Sequence, residues 1–269
     1  MANSAWGDGH RTLFHWQCFD ESRLADLLSN QRIYCSSPGA FNDPWDCKPY
    51  FNSEVLADPV ENARHVQWAV DLCKRMTSMS QEDLDRMRVT LLTDHVQTAG
   101  LLDQISRELV PEISTRYRVY CLGPDADNLL MWAHYADNHR GVCLEFDLRN
   151  NVMCGALRCQ YLRDFPIMRI HEDSDQASLQ ALLAKGDAWS YEREYRLIAQ
   201  ERSAAVEGAD TLITDQNFLQ LPLGALRAVI VGCQAEYERI QLLVAGLAPQ
   251  VHVKRAVRIP NRYQVKIAG

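Results

Sequence analysis

The chain has 269 residues, of which 47% are hydrophobic and 23% are charged, a composition typical of globular proteins. Its formal net charge of −7 argues against non-specific binding to nucleic acid or to an anionic membrane surface. An uninterrupted apolar run of about 18 residues is absent from the sequence, so we expect no transmembrane helix and no membrane partner.

The cysteines indicate a reducing environment. There are nine, an odd number, and the sequence contains no C-x-x-C pair of the kind found in zinc ribbons. The first residues lack the basic start and apolar run of a secretory signal. We therefore expect a cytoplasmic protein in which residues 1–10 form a disordered leader.

The first predicted elements are a strand at 12–17, a helix at 20–30 and a strand at 32–37. The helix has Leu24, Leu27 and Leu28 at helical spacing behind Asp20, a candidate N-cap. A loop follows over residues 38–47, where two prolines, a glycine, Asn and Asp favour turns.

Residues 58–113 predict a helical insertion, because three successive segments place apolar residues at helical spacing. Nothing resembling a linker flanks them, so we treat residues 1–269 as a single domain. After residue 116 the sequence favours strands at 116–122, 141–148, 153–162, 190–200, 218–222, 226–232, 251–257 and 262–268. Helices are expected at 127–138, 175–186 and 234–247.

Strands that do not alternate regularly with helices predict an α+β fold with a mixed, mostly antiparallel sheet. We expect that sheet to contain 12–17, 32–36, 141–148 and 190–200, with the helical insertion packed to one side.

The stretch WSYEREYR, residues 189–196, raises the first functional question. If it lies in a strand, Glu192 and Glu194 share one face with Arg196, and the two carboxylates are about 7 Å apart. Such a face is too charged for a core, so it is either solvated or a site. Two nearby carboxylates raise one another's pKa, which suits acid–base chemistry or stabilisation of a cation.

Two other segments carry candidate ligands. His134 and Tyr135 lie on the helix predicted at 127–138, where His134 is either a binding residue or a core histidine with one hydrogen bond. Asn42 and Asp43 lie in the proline-rich loop, where they either bind a ligand or cap their own backbone. The phosphate-binding glycine motifs and the H-E-x-x-H and G-x-S-x-G motifs are absent from the sequence.

Three segments, in this order, carry a resemblance to a known family: FNDPWDC, MWAHYADNHRGVCLEFD and KGDAWSYEREYRL, after the opening LFHW…LLSNQRIYCSSP. They resemble the bacterial domain-of-unknown-function family DUF2971 over nearly the whole chain. That resemblance implies little about activity.

A looser resemblance is more informative. The order of a strand with a His, a short helix, a strand ending in Ser-Ser and a late Glu-x-Glu is similar to the plan of ADP-ribosyltransferases. This resemblance implies NAD as a substrate and a possible toxin or phage-defence role, with a protein or nucleic acid as the unidentified acceptor. It implies the following site residues: His15 or Arg11 and Ser36 or Ser37 for NAD, Glu194 for catalysis, and Glu192 for the acceptor.

Aromatic side chains such as Trp16 or Trp45 could stack on nicotinamide or adenine. We expect His15, Ser36, Asn42, Asp43, His134, Tyr135, Glu192 and Glu194 to border one cleft. A catalytic Glu194 at its edge would tolerate replacement by Gln with nearly unchanged stability. No residue is assigned to a metal in this interpretation.

Two alternatives remain open. The first is a hydrolase or nuclease that uses Asp43, Asp46, His134 and the two glutamates with a divalent metal. The second is a non-enzymatic regulator that binds a nucleotide-type small molecule or a protein. Turnover of NAD, sensitivity to chelators, or ligand stabilisation without turnover would distinguish the three.

Overall fold

The computed structural model describes residues 3–48, 50, 53–166, 169, 171, 174–205 and 211–269. Its strands are β1 (Thr12–Gln17), β2 (Arg32–Tyr34), β3 (Tyr117–Leu122), β4 (Val142–Asp147), β5 (Leu157–Arg158), β6 (Gln160–Leu162), β7 (Ala184–Gly186), β8 (Tyr195–Glu201), β9 (Leu212–Thr214), β10 (Phe218–Gln220), β11 (Leu226–Val231), β12 (His252–Arg258) and β13 (Val265–Ala268).

The helices are α1 (Glu21–Asn30), α2 (Pro59–Met76), α3 (Gln81–Thr93), α4 (His95–Arg116), α5 (Leu129–Tyr135), α6 (Ser174–Leu183) and α7 (Tyr237–Leu247). Short 3-10 helices span Pro38–Ala40, Ser53–Ala57, Met153–Gly155, Asp187–Glu192 and Arg202–Ala204. This mixture confirms the α+β class. Within the described residues, no helix combines the length and apolar character that a bilayer crossing requires.

The larger sheet has five strands in the order β1-β4-β11-β12-β13. Its pairs are antiparallel except for β11 and β12, which are parallel and are connected through α7. Strand β4 is buried on both faces. Leu144 and Phe146 point into a core shared with α1 and α7, while Cys143 points to a second core shared with Trp132 of α5.

A second sheet has the order β3-β8-β5, with β9 paired in parallel to β8. Helix α4 runs directly into β3, because Arg116 ends the helix and Tyr117 begins the strand. The helices α2, α3 and α4 lie in the predicted helical insertion, where α2 and α3 share a small core of Val66, Val70, Leu84 and Leu91. Further apolar contacts join α4, β3 and α6.

The prediction that one sheet contains all four of these strands is wrong. Strands β1 and β4 do lie in one sheet, but β2 pairs with β10 and β8 pairs with β3. Isolated bridges, Phe14 with Gly123 and Ser36 with Val119, bring the sheets together at their edges. Strand patterns mark extended backbone, whereas pairing depends on long-range packing that the pattern does not contain.

Two boundaries also differ from expectation. The described part of the predicted leader is packed rather than disordered, since Ala5 is fully buried in the main core and the Tyr195 hydroxyl donates to Asp8 at 2.9 Å. Helix α5 starts after Asn128 rather than at residue 127, because the Asn128 side chain accepts from the amide of Leu130 and caps the helix.

Candidate functional site

Glu192 and Glu194 do not lie on alternate positions of a strand. Glu192 ends the 3-10 helix Asp187–Glu192, Arg193 is left-handed with φ of 49°, and β8 begins only at Tyr195. The shared strand face predicted for the two glutamates is therefore wrong. Both carboxylates are nevertheless buried and close together, because both accept from the ammonium of Lys185, with Glu194 Oε2 at 2.7 Å from Nζ.

Arg196 binds Glu194 and connects it to Asp46. Its side chain is fully buried, and its guanidinium donates two parallel bonds to Asp46, at 2.9 and 2.7 Å. The Nε atom donates to Glu194 Oε1 at 2.8 Å, and Nη1 also donates to the carbonyl of Leu182 at 2.7 Å. This fork geometry is the strong form of an arginine–carboxylate pair.

We call Asp46, Lys185, Glu192, Glu194 and Arg196 the buried ionic network. Each of its side chains is less than a tenth exposed. Three carboxylates and two cations give it a net charge of −1 when all are ionised. The hydroxyl of Tyr135 donates to Glu192 Oε1 at 2.6 Å, which connects α5 to the network.

The surroundings of the two glutamates shift their pKa values in opposite directions. Burial would raise the pKa of Glu194, but Arg196 and Lys185 outweigh it and lower that pKa well below the ordinary value. Burial raises the pKa of Glu192, and the negative charge of Glu194 adds to the effect against the attraction of Lys185. Burial opposes the charge of Lys185, yet the two glutamates raise its pKa far above the usual range. Glu192 is therefore the member of the network best placed to take up a proton.

One cavity, of about 380 Å³, opens beside the network through Lys185. Trp45 and Trp189 line it, so we call it the tryptophan groove. The Trp189 indole N–H donates to Asp43 Oδ2 at 2.8 Å, and Asp43 Oδ1 accepts from the amide of Trp45 at 2.9 Å. The other charged and aromatic residues at its wall are Lys48, Arg163, Asp164 and Phe165.

A second cavity, of about 550 Å³, contains His15 and Ser36 and is called the histidine cavity here. His15 Nδ1 lies 2.8 Å from the carbonyl of Cys121, and its ring stacks on Tyr120 at a centroid distance of 4.2 Å. Burial lowers the pKa of His15 to about 4, and the contact with the Cys121 carbonyl opposes that effect only in part. The histidine is neutral at neutral pH.

Of the eight residues expected around one cleft, three line one of these two cavities. Asp43 lines the tryptophan groove and His15 and Ser36 line the histidine cavity. Cys121 lies between His15 and Glu194, since its carbonyl is 2.8 Å from His15 Nδ1 and its thiol donates to Glu194. The expectation of one common cleft is wrong, because β3, the strand of Cys121, lies between its two halves.

The remaining sequence candidates have structural contacts of their own. The Ser37 hydroxyl donates to the Ser114 carbonyl at 2.8 Å, and the guanidinium of Arg11 lies 3.9 Å from the ring centroid of Trp6. The ring of His134 is exposed and lies 6.5 Å from that of Trp189. Asn42 is exposed, whereas Trp16 is buried in the core and cannot stack on a ligand.

Among the described residues, the metal ligands that the hydrolase alternative requires do not form a cluster. Among the residues that the structure describes, the side chains close enough to share a cation are Glu61, His65 and His171, and none of Asp43, Asp46 or His134 belongs to that group. The network carboxylates instead accept from Lys185 and Arg196, whose two positive charges offset two of the three negative charges.

Sequence reasoning did not single out Lys185, which binds both glutamates. It lies in the segment KGDAWSYEREYRL, between the apolar end of α6 and the turn that carries Trp189. A lysine at such a position is a signal, because an unpaired buried ammonium would be costly. Its partners Glu192 and Glu194 lie seven and nine residues further along the chain, and this sequence spacing does not indicate an ion pair.

Comparison with known proteins gives one match. Residues 131–197 match the family model described as "Protein of unknown function (DUF2971)", about a quarter of the chain rather than nearly all of it. The matched segment carries four of the five network residues, together with Tyr135 and Trp189. No curated protein and no solved structure matches, and ADP-ribosyltransferases are not among the findings.

The network geometry predicts that Glu194→Gln destabilises the protein, contrary to the expectation from the sequence. Asp46 and Glu192 still balance the two cations, but one oxygen that accepts from Arg196 or Lys185 becomes an amide NH₂ facing a charged donor, a loss of about 3 kcal/mol in the free energy of unfolding. Urea denaturation measures it. The matched control is Glu21→Gln, which breaks the exposed pair with Arg239 and should cost less than about 1 kcal/mol. Equal, small losses in both variants would show that the network does not carry this energy.

The low pKa of His15 predicts an acid-sensitive component of stability. The unfolded chain binds a proton at this histidine near pH 6.5, whereas the folded protein resists it until about pH 4. Stability is therefore complete above pH 6.5 and falls as the pH decreases toward 4, by about 2 kcal/mol between pH 7 and pH 5. Urea denaturation at both pH values should show this slope in the wild type and a shallower one in His15→Gln. Identical slopes would contradict the assignment.

Proposed function

We propose that this chain binds a nucleotide-type small molecule in the tryptophan groove. The observation that carries the proposal is Trp45, whose side chain is 67% exposed at the wall of a cavity that also presents Lys48, Arg163 and Lys185. The ammonium of Lys185 is held by Glu192 and Glu194, so a ligand anion would meet Lys48 and Arg163, beside two indoles and the carboxylates of Asp43 and Asp164.

The chemistry of the lining suits the two parts of a nucleotide. Indole faces stack on nucleobases, a contact worth about 1–3 kcal/mol per base, and they do so with little regard to base identity. Ammonium and guanidinium groups bind phosphate oxygens through charge-assisted hydrogen bonds. A volume of about 380 Å³ lies at the lower end of the range of small-molecule sites and suits a mononucleotide or one half of a dinucleotide.

The groove is also held in place before any ligand arrives. Asp43 is bonded to Trp189, and Asp46 is bonded to Arg196, so the loop is fixed on both sides of Trp45. A fixed loop loses less conformational entropy on binding, which favours affinity.

A second candidate is cleavage of NAD with transfer of ADP-ribose, and Glu192 is the observation that favours it. Its carboxyl accepts from Tyr135 and from Lys185, and Lys185 lines the groove. A carboxylate near a departing nicotinamide would stabilise the positive charge that develops on the ribose.

This candidate assigns the catalytic role to Glu192 rather than to Glu194, since Glu194 is bound by both buried cations, whereas Glu192 is bound by Lys185 and by the neutral hydroxyl of Tyr135. It also moves the NAD contacts from His15 and Ser36 to the tryptophan groove. A toxin or defence role would rest on this second candidate and on an acceptor still to be identified.

Ligand binding is tested with AMP, ADP and NAD in a thermal-shift titration of the wild type and of Trp45→Ala. We expect at least one of them to raise the Tm of the wild type, and the variant to bind it roughly 5–150-fold more weakly through loss of one stacking contact. The unliganded variant should keep its Tm, because the indole is largely exposed.

Tyr263→Ala is the matched control, since Tyr263 is an aromatic residue that is 99% exposed and absent from the groove lining. Absence of any nucleotide effect on the wild type, or equal binding by wild type and Trp45→Ala, would reject the proposal.

NAD cleavage is tested by nicotinamide release from NAD with purified wild type and Glu192→Gln. Removal of one preorganised charge should slow release by about 10²–10³-fold. Glutamine can turn its oxygen toward Lys185 and its amide NH₂ toward the Tyr135 hydroxyl, which can accept instead of donating, so the Tm should fall less than in Glu194→Gln. Release that is equal in the wild type and Glu192→Gln, or absent in the wild type while a nucleotide still binds, would leave a binding protein and eliminate the transferase.

A further inference from the structure

We propose that Glu61, His65 and His171 form a binding site for a divalent cation of the zinc class, located on the helical insertion and separate from the tryptophan groove. One ligand atom from each of the three side chains lies within 4.8 Å of the other two. The inference rests on this cluster alone and is independent of the proposed nucleotide ligand.

The helix brings two of the three residues together. Glu61 and His65 are four residues apart on α2, so their side chains lie on the same face of the helix. His171 comes from a distant part of the chain, and its ring meets that of His65 edge to face at a centroid distance of 4.7 Å. Two imidazoles and a carboxylate from two segments are thus gathered at one point.

The orientation of His65 is the strongest indication of a ligand. Its Nδ1 lies 2.7 Å from the backbone carbonyl of Glu61, so this nitrogen carries the hydrogen and donates it. The lone pair is then on Nε2, as in metal-binding histidines whose other nitrogen is fixed by a carbonyl. His65 is 1% exposed, and among the described residues Nε2 has no hydrogen-bond partner. A buried acceptor without a partner is unfavourable, and a cation would satisfy it.

Glu61 contributes the negative charge. Its oxygens accept from Arg64 at 2.8 Å and from Arg169 at 3.0 Å, and His171 Nε2 lies 3.9 Å from Oε2. Both arginines are partly exposed, with side-chain accessibilities of 58% and 41%. They can turn toward solvent when a cation takes up the carboxylate charge, and a carboxylate oxygen has lone pairs for more than one partner.

The donor set selects the kind of cation. Two imidazole nitrogens and one carboxylate oxygen suit Zn²⁺, whereas Mg²⁺ and Ca²⁺ prefer oxygen ligands. Tetrahedral Zn²⁺ with bonds of about 2.0–2.1 Å places its ligand atoms about 3.4 Å apart, so the cluster would contract by roughly 1 Å on binding. Three protein ligands leave the fourth position to water.

Binding is tested with ZnCl₂ by isothermal titration calorimetry on the full chain after dialysis against a chelator. Co²⁺ absorption provides a second readout, because tetrahedral nitrogen and oxygen coordination gives visible bands. We expect about one ion per chain and a higher Tm with zinc. His65→Gln and His171→Gln should each weaken binding by at least roughly 10–100-fold, since even residues that only orient a ligand contribute that much.

The matched control is His252→Gln, which replaces an exposed histidine on β12, outside the cluster. Circular dichroism of each variant without metal checks that it folds, and the use of two variants keeps the test valid if one of them does not. Zinc that binds equally to the wild type and to both folded variants, or that does not bind the wild type, would overturn the proposal.

Discussion

The charge of Arg196 has to be balanced inside the protein, and much of the architecture follows from how this is done. The side chain lies on β8 and is fully buried, so its five donors need acceptors from other segments. Asp46 comes from the loop after Pro38–Ala40, the Leu182 carbonyl from the end of α6, and Glu194 from the turn that leads into β8. One guanidinium therefore joins the distant loop of Asp46 to the end of α6 and the start of β8.

This arrangement is better understood as a device for specificity than as a source of stability. A buried ion pair often contributes no more than apolar residues of the same volume would, although removing one partner is strongly destabilising. The network does, however, fix the positions of Lys185 and Glu192. Lys185 is held against the groove by Glu192 and Glu194, and the excess negative charge falls on Glu192, whose affinity for a proton is raised by burial. The network therefore positions these two groups.

Much of the secondary structure could be predicted from the sequence, and the pairing could not. The strands at 12–17 and 141–148 and the three helices of the insertion follow from local periodicity. The prediction that the face of the two glutamates is too charged for a core is wrong, because both are buried, and their closeness arises from a left-handed Arg193 and a shared lysine. Neither feature has a signal in the spacing. The packed Ala5 depends likewise on a long-range contact with the main core.

The loop around Trp45 shows how the same constraints produce a binding surface. Asp43 is bound by the Trp189 indole and Asp46 by the Arg196 guanidinium, so the backbone is anchored two residues before Trp45 and directly after it. Phe41, from the same loop, lies on the inner side, with its ring 5.3 Å from the Arg196 guanidinium, whereas the Trp45 side chain is 67% exposed. Trp45 lies at the wall of a cavity that Lys185 also lines. The bond from Arg196 to Asp46 thus helps to anchor the loop that carries Trp45, and an exposed, anchored aromatic ring beside cations is the physical basis on which a planar anionic ligand would be recognised.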